Sequence, residues 1–271
     1  MKKNLVFGAS GLIGSVFYNL IKDKKNYVFY SKTNKKFKLI NLNNDLNNFP
    51  YKDVDKCYFF SSPRIKKNNF VKNVFKSEFE WLKKIIKNIK IDKLIYMSSS
   101  SVYYKNNHVI GSTKLKCEKY ILKNKNLFKN YQIWRPFNLI GDKYENSDHF
   151  HNYLYKVMFL KNEKSHTFSG NSSDKRGYSD VNHFVRIMYK KSKNGESFIR
   201  NYGNIDLITV SEIIDLYNIY YQRLNNRKFV PIFKSKKSNL NRVKIKKNTV
   251  YYNKQSFSLF NSYLRKSLKE K

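Results

Sequence analysis

Short apolar runs alternate with longer amphipathic stretches through the first half of the chain. The apolar runs predict β-strands at residues 5–7, 27–30, 39–42, 57–60 and 94–97. Between them, apolar residues recur every three or four positions over residues 12–21 and 75–89, which predicts helices that bury one face. Strands that alternate with helices predict an α/β fold with a doubly wound parallel sheet.

The second half contains two further amphipathic stretches. One lies between Phe150 and Met158, and its apolar face indicates packing rather than ligand recognition. The other is the tail from about Ser256, which predicts a terminal amphipathic helix.

Three glycines lie between the first predicted strand and the first predicted helix. In a strand–turn–helix unit, glycines allow a tight turn, a close approach of the backbone to a pyrophosphate, and close packing of helix on strand. The phosphates then lie at the helix N-terminus, where amide groups attract anions. The residues predicted to bind a dinucleotide are Gly8, Ser10, Gly11, Leu12, Ile13 and Gly14. Their G-x-x-G-x-x-G spacing differs from G-x-G-x-x-G, so a turn of small residues without a ligand is the alternative.

The end of the second strand bears on the choice of dinucleotide. NAD-specific sites place an acidic residue about 20 residues beyond the glycines, where it binds the ribose hydroxyls. Here the sequence is Tyr30-Ser31-Lys32-Thr33, without a carboxylate. We therefore expect NADP or NAD with Ser31 in the site, and the hydroxyl and ammonium groups favour NADP.

Several motifs follow in a recognisable order. They are Gly8, Gly11 and Gly14; Asp45-Leu46; Asp55 with Ser61-Ser62; Tyr96 to Tyr103; Ser112-Thr113-Lys114-Leu115 with Glu118; Arg135 to Gly141; Arg176-Gly177-Tyr178 with Val181; and Asn201 to Glu212. In this order and with these residue types, the chain resembles an extended short-chain dehydrogenase/reductase of the NAD(P)-dependent nucleotide-sugar epimerase/dehydratase kind. The resemblance covers residues 1 to about 217 and implies a Rossmann domain over residues 1–140. It also implies a smaller C-terminal substrate-binding lobe over residues 141–271, partly interleaved with the first domain.

The resemblance also implies roles for individual residues. Ser99 would orient the substrate hydroxyl, and Lys114 would act in catalysis and bind the cofactor. Further cofactor contacts would come from Asp45, Leu46, Ser61 and Pro136. Substrate contacts would come from Ser100, Asn138 and Arg176, the last of these at the nucleotide phosphates.

One position departs from the family pattern. The family's catalytic tyrosine lies four residues before the lysine, and here that residue is Ile110. A phenol exchanges a proton with the reacting hydroxyl as the hydride moves, whereas isoleucine has no exchangeable proton. Either this step is altered or lost, or Tyr103, Tyr104 or His108 supplies the acid.

The neighbouring serines bear on which reaction of the family is expected. Ser100 and Ser101 stand where the dehydratase branch commonly holds an acidic pair, and hydroxyls cannot serve as that acid and base at neutral pH. The leading interpretation is therefore an epimerase or reductase acting on a nucleotide sugar, for surface polysaccharide synthesis. The alternative is a non-catalytic dinucleotide-binding protein that has lost the tyrosine.

Composition changes this picture little. The chain of 271 residues carries 55 Lys and Arg against 19 Asp and Glu, for a net charge of +36. Such a charge is typical of nucleic-acid or membrane binding. However, Ala9 is the only alanine while Lys, Asn, Ile, Tyr and Phe abound, which indicates an AT-rich genome. The lysines are also spread along the chain. A solvated basic surface is therefore expected, with neither nucleic acid nor membrane as partner, although the basic runs 234–237 and 244–247 leave RNA as a minor alternative.

The remaining features concern metal, location and assembly. Cys57 and Cys117 lack metal-ligand spacing and imply no disulfide framework, which fits a cytoplasmic protein. His149 and His151 have spacing that suits a metal, but no third ligand is visible, and no metal site is predicted. The helix at 75–90 is apolar on more than one face, and in the family this helix and the one with Lys114 pair as a four-helix bundle, so a homodimer is expected.

Overall fold

The apolar runs of the sequence form the strands of a central sheet. The computed structural model describes residues 2–44, 46, 48–63, 71–103, 109–141, 150–234, 249–252 and 255–269. Asp45, Tyr104, His108, His149 and most of the two basic runs, at 235–237 and 244–247, lie outside the described residues.

The secondary structure comprises thirteen strands and seven α-helices among the described residues. The strands are β1 Lys3–Phe7, β2 Tyr27–Ser31, β3 Lys38–Leu39, β4 Asp53–Phe59, β5 Lys90–Met97, β6 Asn130–Pro136, β7 Asn138–Ile140, β8 Ser165–Ser169, β9 Lys175–Asp180, β10 Phe198–Asn204, β11 Leu207–Thr209, β12 Val230–Lys234 and β13 Thr249–Tyr252. The helices are α1 Leu12–Leu20, α2 Val71–Asn88, α3 Val109–Lys123, α4 Phe150–Tyr155, α5 Val181–Ser192, α6 Val210–Asn225 and α7 Ser256–Lys269. Two short 3₁₀ helices cover Ser100–Tyr103 and Lys125–Leu127, and a π-helical turn, Lys156–Leu160, follows α4.

The central sheet has eight strands in the order β13-β10-β6-β5-β4-β1-β2-β3. From β10 to β3, each strand runs parallel to its neighbour. The order 3-2-1-4-5-6 is that of the doubly wound Rossmann fold, in which ligands bind outside the carboxyl ends of the strands. The predicted α/β class and parallel sheet are confirmed.

The third predicted strand was wrong in its length. Residues 39–42 were expected to be extended, but β3 is only Lys38–Leu39. The Asn41 side chain accepts a hydrogen bond from the Asn43 amide at 3.2 Å, and this local turn competes with the sheet ladder. Leu42 is nevertheless buried, so its hydrophobicity serves the core rather than a strand.

The chain divides into two compact units. The first consists of residues 1–137, 181–202 and 245–250, and the second of residues 138–180, 203–244 and 251–271. Each has its own apolar core. In the first unit, the core lies between the sheet and helices α2 and α3, with Leu5, Phe59 and Leu94 fully buried. In the second, α4, α6 and α7 pack around Phe229 and Phe260.

The apolar residues of α2 are used within the first unit. Leu82, Ile85, Ile86 and Ile89 are all buried in its core. Trp81 is partly buried against the same core, and its indole N–H donates to Asn43 Oδ1 at 2.7 Å. The homodimer was expected from these five side chains, but they pack into the core of the first unit and do not form an exposed apolar surface. The homodimer stays a prediction. Among the described residues, no helix is both long enough and apolar enough to span a membrane.

We predict that Gly14→Ala destabilises the protein. An added Cβ at Gly14 would lie 2.2 Å from the carbonyl oxygen of Gly8, so backbone has to shift. Overpacking of this kind costs about 1–3 kcal/mol. Urea unfolding should show that loss. Gly195→Ala is the matched control because nothing lies within 4 Å of its added Cβ, and it should change the free energy of unfolding by under about 0.5 kcal/mol. Equal stability of the two variants would contradict this account of the turn.

Candidate functional site

The turn between β1 and α1 is built by two glycines with different constraints. Gly8 has φ of +85°, and a Cβ there would lie 2.7 Å from the Ser61 amide nitrogen. Its own amide and that of Ala9 donate to the Tyr30 carbonyl at 3.1 and 2.9 Å. Gly14 lets α1 pack directly on this turn. The ends of β1, β2 and β4 are thereby held close together.

Gly11 faces a different environment. A Cβ there would meet only the Gly8 carbonyl oxygen, at 3.3 Å. Gly11 is also the N-cap of α1, and no side chain caps the helix. The first amides of a helix lack intrahelical acceptors, and together with the helix dipole they favour an anion. A backbone without side chains beside an uncapped helix start fits the pyrophosphate of a dinucleotide.

Ser10 and Ser31 form one small polar unit at the ends of β1 and β2. Their hydroxyl oxygens are 2.8 Å apart. Ser31 is buried and also accepts from the Asn34 amide at 3.2 Å, so its hydroxyl organises the turn after β2. Ser10 is the partly exposed member of the pair.

The other predicted cofactor residues lie in varied settings. Ser61 is half-buried directly after β4, beside Gly8. Leu46 is buried in the core of the first unit, and Pro136 is buried at the end of β6. The structure therefore gathers Ser61 with the glycines, while the side chains of Leu46 and Pro136 are packed inside.

The serines that follow β5 are hydrogen-bonded to one another and to α3. Ser99 Oγ accepts from the Ser101 amide at 3.1 Å and from the Ser101 hydroxyl at 2.9 Å. Neither bond uses the hydrogen of Ser99 itself, which can donate to a ligand. Ser98 Oγ donates to Glu118 of α3. Ser100 begins the short 3₁₀ helix and is half-buried.

Lys114 lies on α3 and points into a buried charge cluster. Its ammonium donates to Glu78 Oε1 at 2.6 Å and to the Met97 carbonyl at 2.8 Å. Glu78, on α2, is completely buried. It also accepts from the Tyr96 hydroxyl and the Ser62 hydroxyl, both at 2.8 Å.

This cluster stabilises the protonated form of its phenol. Burial, followed by the negative charge of Glu78, raises the pKa of Tyr96 well above its usual range. Burial likewise raises the pKa of Cys117 on α3 to about 12, with Glu78 the next cause. Both groups therefore stay neutral at physiological pH.

Glu78 was missed by sequence reasoning, although a signal was present. It lies on the same helical stripe as Leu82, Ile85 and Ile89, which are spaced from it by four, seven and eleven residues. A carboxylate on an otherwise apolar stripe must be paired when the stripe is buried. The position of Glu78 on this apolar stripe therefore indicates a buried, paired carboxylate.

A second network surrounds Arg135, at the end of β6. Its guanidinium donates to both carboxylate oxygens of Glu118, with Nε to Oε1 at 2.9 Å, and Nη1 donates to the Tyr103 hydroxyl at 2.7 Å. Burial lowers the pKa of Arg135, but its bonds to Glu118 outweigh this and the net direction is upward. Tyr103 in turn donates to Asn201 Oδ1 at 2.8 Å. The Tyr103 proton is thus committed to this network.

Ile110 is the residue at which the resemblance predicts a tyrosine. It lies on α3 one turn before Lys114 and is half-buried. Residues four apart share one face of a helix, so Ile110 and Lys114 lie on the same side of α3. That face carries an ammonium but no phenol.

The second unit contains a pocket of about 380 Å³. Its lining is mostly aromatic and small, with one cation and one carboxylate: Phe150, Tyr153, Thr167, Phe168, Ser169, Gly170, Asn171, Asp174, Arg176, Val210 and Phe233. The Arg176 guanidinium lies 5.7 Å from the centre of the Phe150 ring. Asn138 donates to the Gly177 carbonyl at 3.1 Å and so ties β7 to β9, the strand that carries Arg176. Aromatic rings beside an arginine suit a planar base and a phosphate.

The described residues contain no group of three metal-ligating side chains. Within the same part of the chain, Cys57 and Cys117 are free thiols and both are buried. Burial raises the pKa of Cys57, as it does that of Cys117.

Comparison with known proteins identifies relatives by structure only. No protein-family model matches the sequence, and no characterised protein matches it by sequence. The UDP-N-acetylglucosamine 4-epimerase of Methanobrevibacter ruminantium, solved with UDP-N-acetylmuramic acid, superposes with a TM-score of 0.70 and 16% identity over 99% of this chain and 97% of that one.

Two further solved structures agree. The ADP-L-glycero-D-manno-heptose-6-epimerase of Helicobacter pylori has a TM-score of 0.68 and 16% identity, covering 98% of this chain and 96% of that one. The UDP-glucuronic acid 4-epimerase of Bacillus cereus, solved with NAD, has a TM-score of 0.64 and 19% identity, covering 97% of this chain and 90% of that one. The resemblance that the motifs indicated is thus confirmed at the level of the fold: the chain has the Rossmann fold of the nucleotide-sugar epimerases, over nearly its whole length.

Proposed function

We propose that the protein is an NAD(P)-dependent epimerase or reductase that acts on a nucleotide sugar, in surface polysaccharide synthesis. The observation that carries the proposal is the turn of Gly8, Gly11 and Gly14, whose backbone and uncapped helix start fit a pyrophosphate. The epimerases that share the fold support it, since one of them was solved with NAD and another with a UDP-sugar.

The pocket of the second unit supports the nucleotide part of the substrate. Arg176 supplies the positive charge that a diphosphate needs, and Phe150, Phe168 and Phe233 supply the apolar surface that a base needs. Asn138 holds the strand of Arg176 by a bond to Gly177, so its contribution is to place that strand. In this proposal Ser100 remains a substrate contact.

The reacting end of the site is assigned to Ser99 and Lys114. A bound nicotinamide would accept or return a hydride. The Ser99 hydroxyl, whose hydrogen is not used by its bonds to Ser101, would donate to an oxygen of the sugar. One N–H of Lys114 would bind the ribose of the cofactor. Dinucleotide contacts are assigned to the glycine turn, Ser10 and Ser61, and the lack of a carboxylate after β2 favours NADP over NAD.

Three observations favour a second candidate, a dinucleotide-binding protein without catalysis. Ile110 has no exchangeable proton, and Tyr103 is committed to Arg135 and Asn201. Lys114 is paired with the buried carboxylate of Glu78. Among the described residues, this candidate therefore lacks a group that would take the sugar proton, while the residues proposed to bind the dinucleotide are retained.

We predict that Gly11→Val abolishes dinucleotide binding. A branched side chain at the start of α1 would occupy the path of the pyrophosphate. Fluorescence titration with NADPH and NADH should show a loss of at least about 100-fold in affinity, as expected when several hydrogen bonds to charged groups are lost. Gly195→Val is the control, because nothing lies near its Cβ, and should bind as the parent does. Unchanged binding by Gly11→Val would show that the site is elsewhere.

We predict that Arg176→Ala weakens the binding of nucleoside diphosphates. Loss of one charge-assisted contact to a phosphate costs about 1.5–3 kcal/mol, or roughly 10- to 150-fold in Kd. Calorimetric titration with UDP and ADP measures the loss and also ranks the two bases. Arg223→Ala, an exposed residue of α6, should bind normally. Equal affinities of the two variants would show that the pocket does not bind the diphosphate.

The third prediction separates the two candidate functions. Ile110→Tyr should restore proton transfer and raise single-turnover hydride transfer with nucleotide sugars by roughly 10²–10⁴, the contribution of general acid–base catalysis. Cofactor affinity should stay the same, because the phenol acts on the reacting hydroxyl. A fully active parent whose rate collapses in Tyr104→Phe or His108→Ala would show instead that the loop supplies the acid. An inactive parent and an inactive Ile110→Tyr, both of which bind the cofactor, would support the non-catalytic protein.

A further inference from the structure

Glu78 is a fully buried carboxylate to which neither the fold nor the proposed reaction assigns a task. Its two oxygens accept hydrogen bonds from three side chains, namely Ser62, Tyr96 and Lys114. These donors come from three different elements: the segment after β4, β5 and α3. Glu78 itself comes from a fourth, α2, so one carboxylate joins four elements at the carboxyl end of the sheet.

Burial of such a group needs compensation. An ionised carboxylate is strongly destabilised inside a protein unless a counter-ion and hydrogen bonds replace its water. Glu78 has both, because Lys114 supplies the charge and the two hydroxyls supply the further bonds. Replacing a buried ion pair by apolar residues is often neutral or stabilising, so the stability of the fold alone is weak grounds for this pair.

The effect on Lys114 is to fix its direction. An ammonium group has three N–H donors. Two of them are directed by Glu78 Oε1 and the Met97 carbonyl, and the side chain is only 8% exposed. The third N–H is therefore held in one orientation and does not rotate among several.

The position of the pair in the sheet indicates what that N–H meets. In the sheet order, β5 is the second strand from β1, with β4 between them. Neighbouring strands lie about 4.8 Å apart, so the end of β5 is roughly 10 Å from the end of β1, where the glycine turn begins. The Lys114 ammonium lies at the end of β5, because it donates to the carbonyl of Met97, the last residue of that strand. A dinucleotide whose pyrophosphate lies at the glycine turn would extend along this edge towards β5.

We infer that Glu78 is a positioning residue, which holds the Lys114 ammonium so that its third N–H binds the nicotinamide half of the dinucleotide. The inference rests on the proposed function, since it takes the dinucleotide as the ligand. Glu78 itself does not touch the ligand.

The experiment compares two ligands, NADH and ADP, by titration against matched variants. ADP carries the adenosine and pyrophosphate but not the nicotinamide half. Because ADP can also bind the pocket that contains Arg176, both titrations are done with saturating UDP, so that ADP reports on the glycine turn. Glu78→Gln should weaken NADH roughly 10-fold, the effect of one hydrogen bond to a charged group, and leave ADP unchanged. Lys114→Met should do the same. The double variant should be no weaker than either single one, because the two residues act through one contact.

Two further variants serve as a control and as a substitute for Glu78→Gln. Glu80→Gln changes an exposed carboxylate two residues along α2 and should bind both ligands as the parent does. If Glu78→Gln does not fold, Tyr96→Phe removes one hydrogen bond from Glu78 with little change of volume, and it should weaken NADH by a few-fold and leave ADP unchanged.

The outcomes are distinct. Equal weakening of NADH and ADP, or no weakening of either, in a folded Glu78 or Tyr96 variant would overturn the inference and leave the cluster as a structural brace. Additive losses in the double variant would also overturn it. A parent that binds ADP and UDP but neither NADH nor NADPH would contradict the proposed function itself, and the inference with it. A parent that binds only NADPH is tested with NADPH in place of NADH.

Discussion

The contact between the Gly8 carbonyl and the start of α1 is the constraint on which the first unit depends. Gly14 has no room for a side chain there, and Gly8 adopts a backbone conformation that other residues rarely take. As a result α1 begins directly above the end of β1, with its first amides uncapped. The same approach brings Ser61, after β4, against the turn. One steric requirement thus brings the uncapped helix start together with the ends of three strands.

Much of this could be predicted from the sequence, and the reasons are physical. The apolar runs and the glycine spacing are local signals, so the parallel sheet and the turn follow from them. The third strand was overestimated because Leu42 is apolar for packing while Asn41 turns the chain. The division into units is not local, since residues 181–202 belong to the first unit but lie between two segments of the second. Periodicity along one chain carries no information on such a return. The expectation of an interleaved lobe came from the family resemblance.

The buried charges could not be predicted in the same way. In a chain with a net charge of +36, composition and charge do not distinguish a buried carboxylate from one exposed to solvent. Yet Glu78 and Glu118 are 0% and 1% exposed, and each is paired with a cation that the motifs had singled out, Lys114 and Arg135. Lys114, Arg135 and Glu118 all belong to the sequence motifs, whereas the pairing of each cation with its carboxylate depends on how α2, α3 and β6 pack. Tertiary contacts, not sequence spacing, decide which of these groups is available to a ligand.

Those pairings also separate two properties of the site. Binding of a dinucleotide needs backbone amides, a few hydroxyls and one fixed cation, and the proposed function assigns these to the glycine turn, Ser10, Ser99 and Lys114. Proton exchange needs a group that can lose and regain a proton beside the reacting carbon. On the face of α3 that carries Lys114, the preceding turn offers the side chain of Ile110, and the hydroxyl of Tyr103 is already bonded to Arg135 and Asn201. Among the described residues, the groups assigned to the cofactor are therefore distinct from a group that could exchange a proton with a sugar hydroxyl. The source of that proton decides between the two candidate functions, an enzyme and a non-catalytic dinucleotide-binding protein.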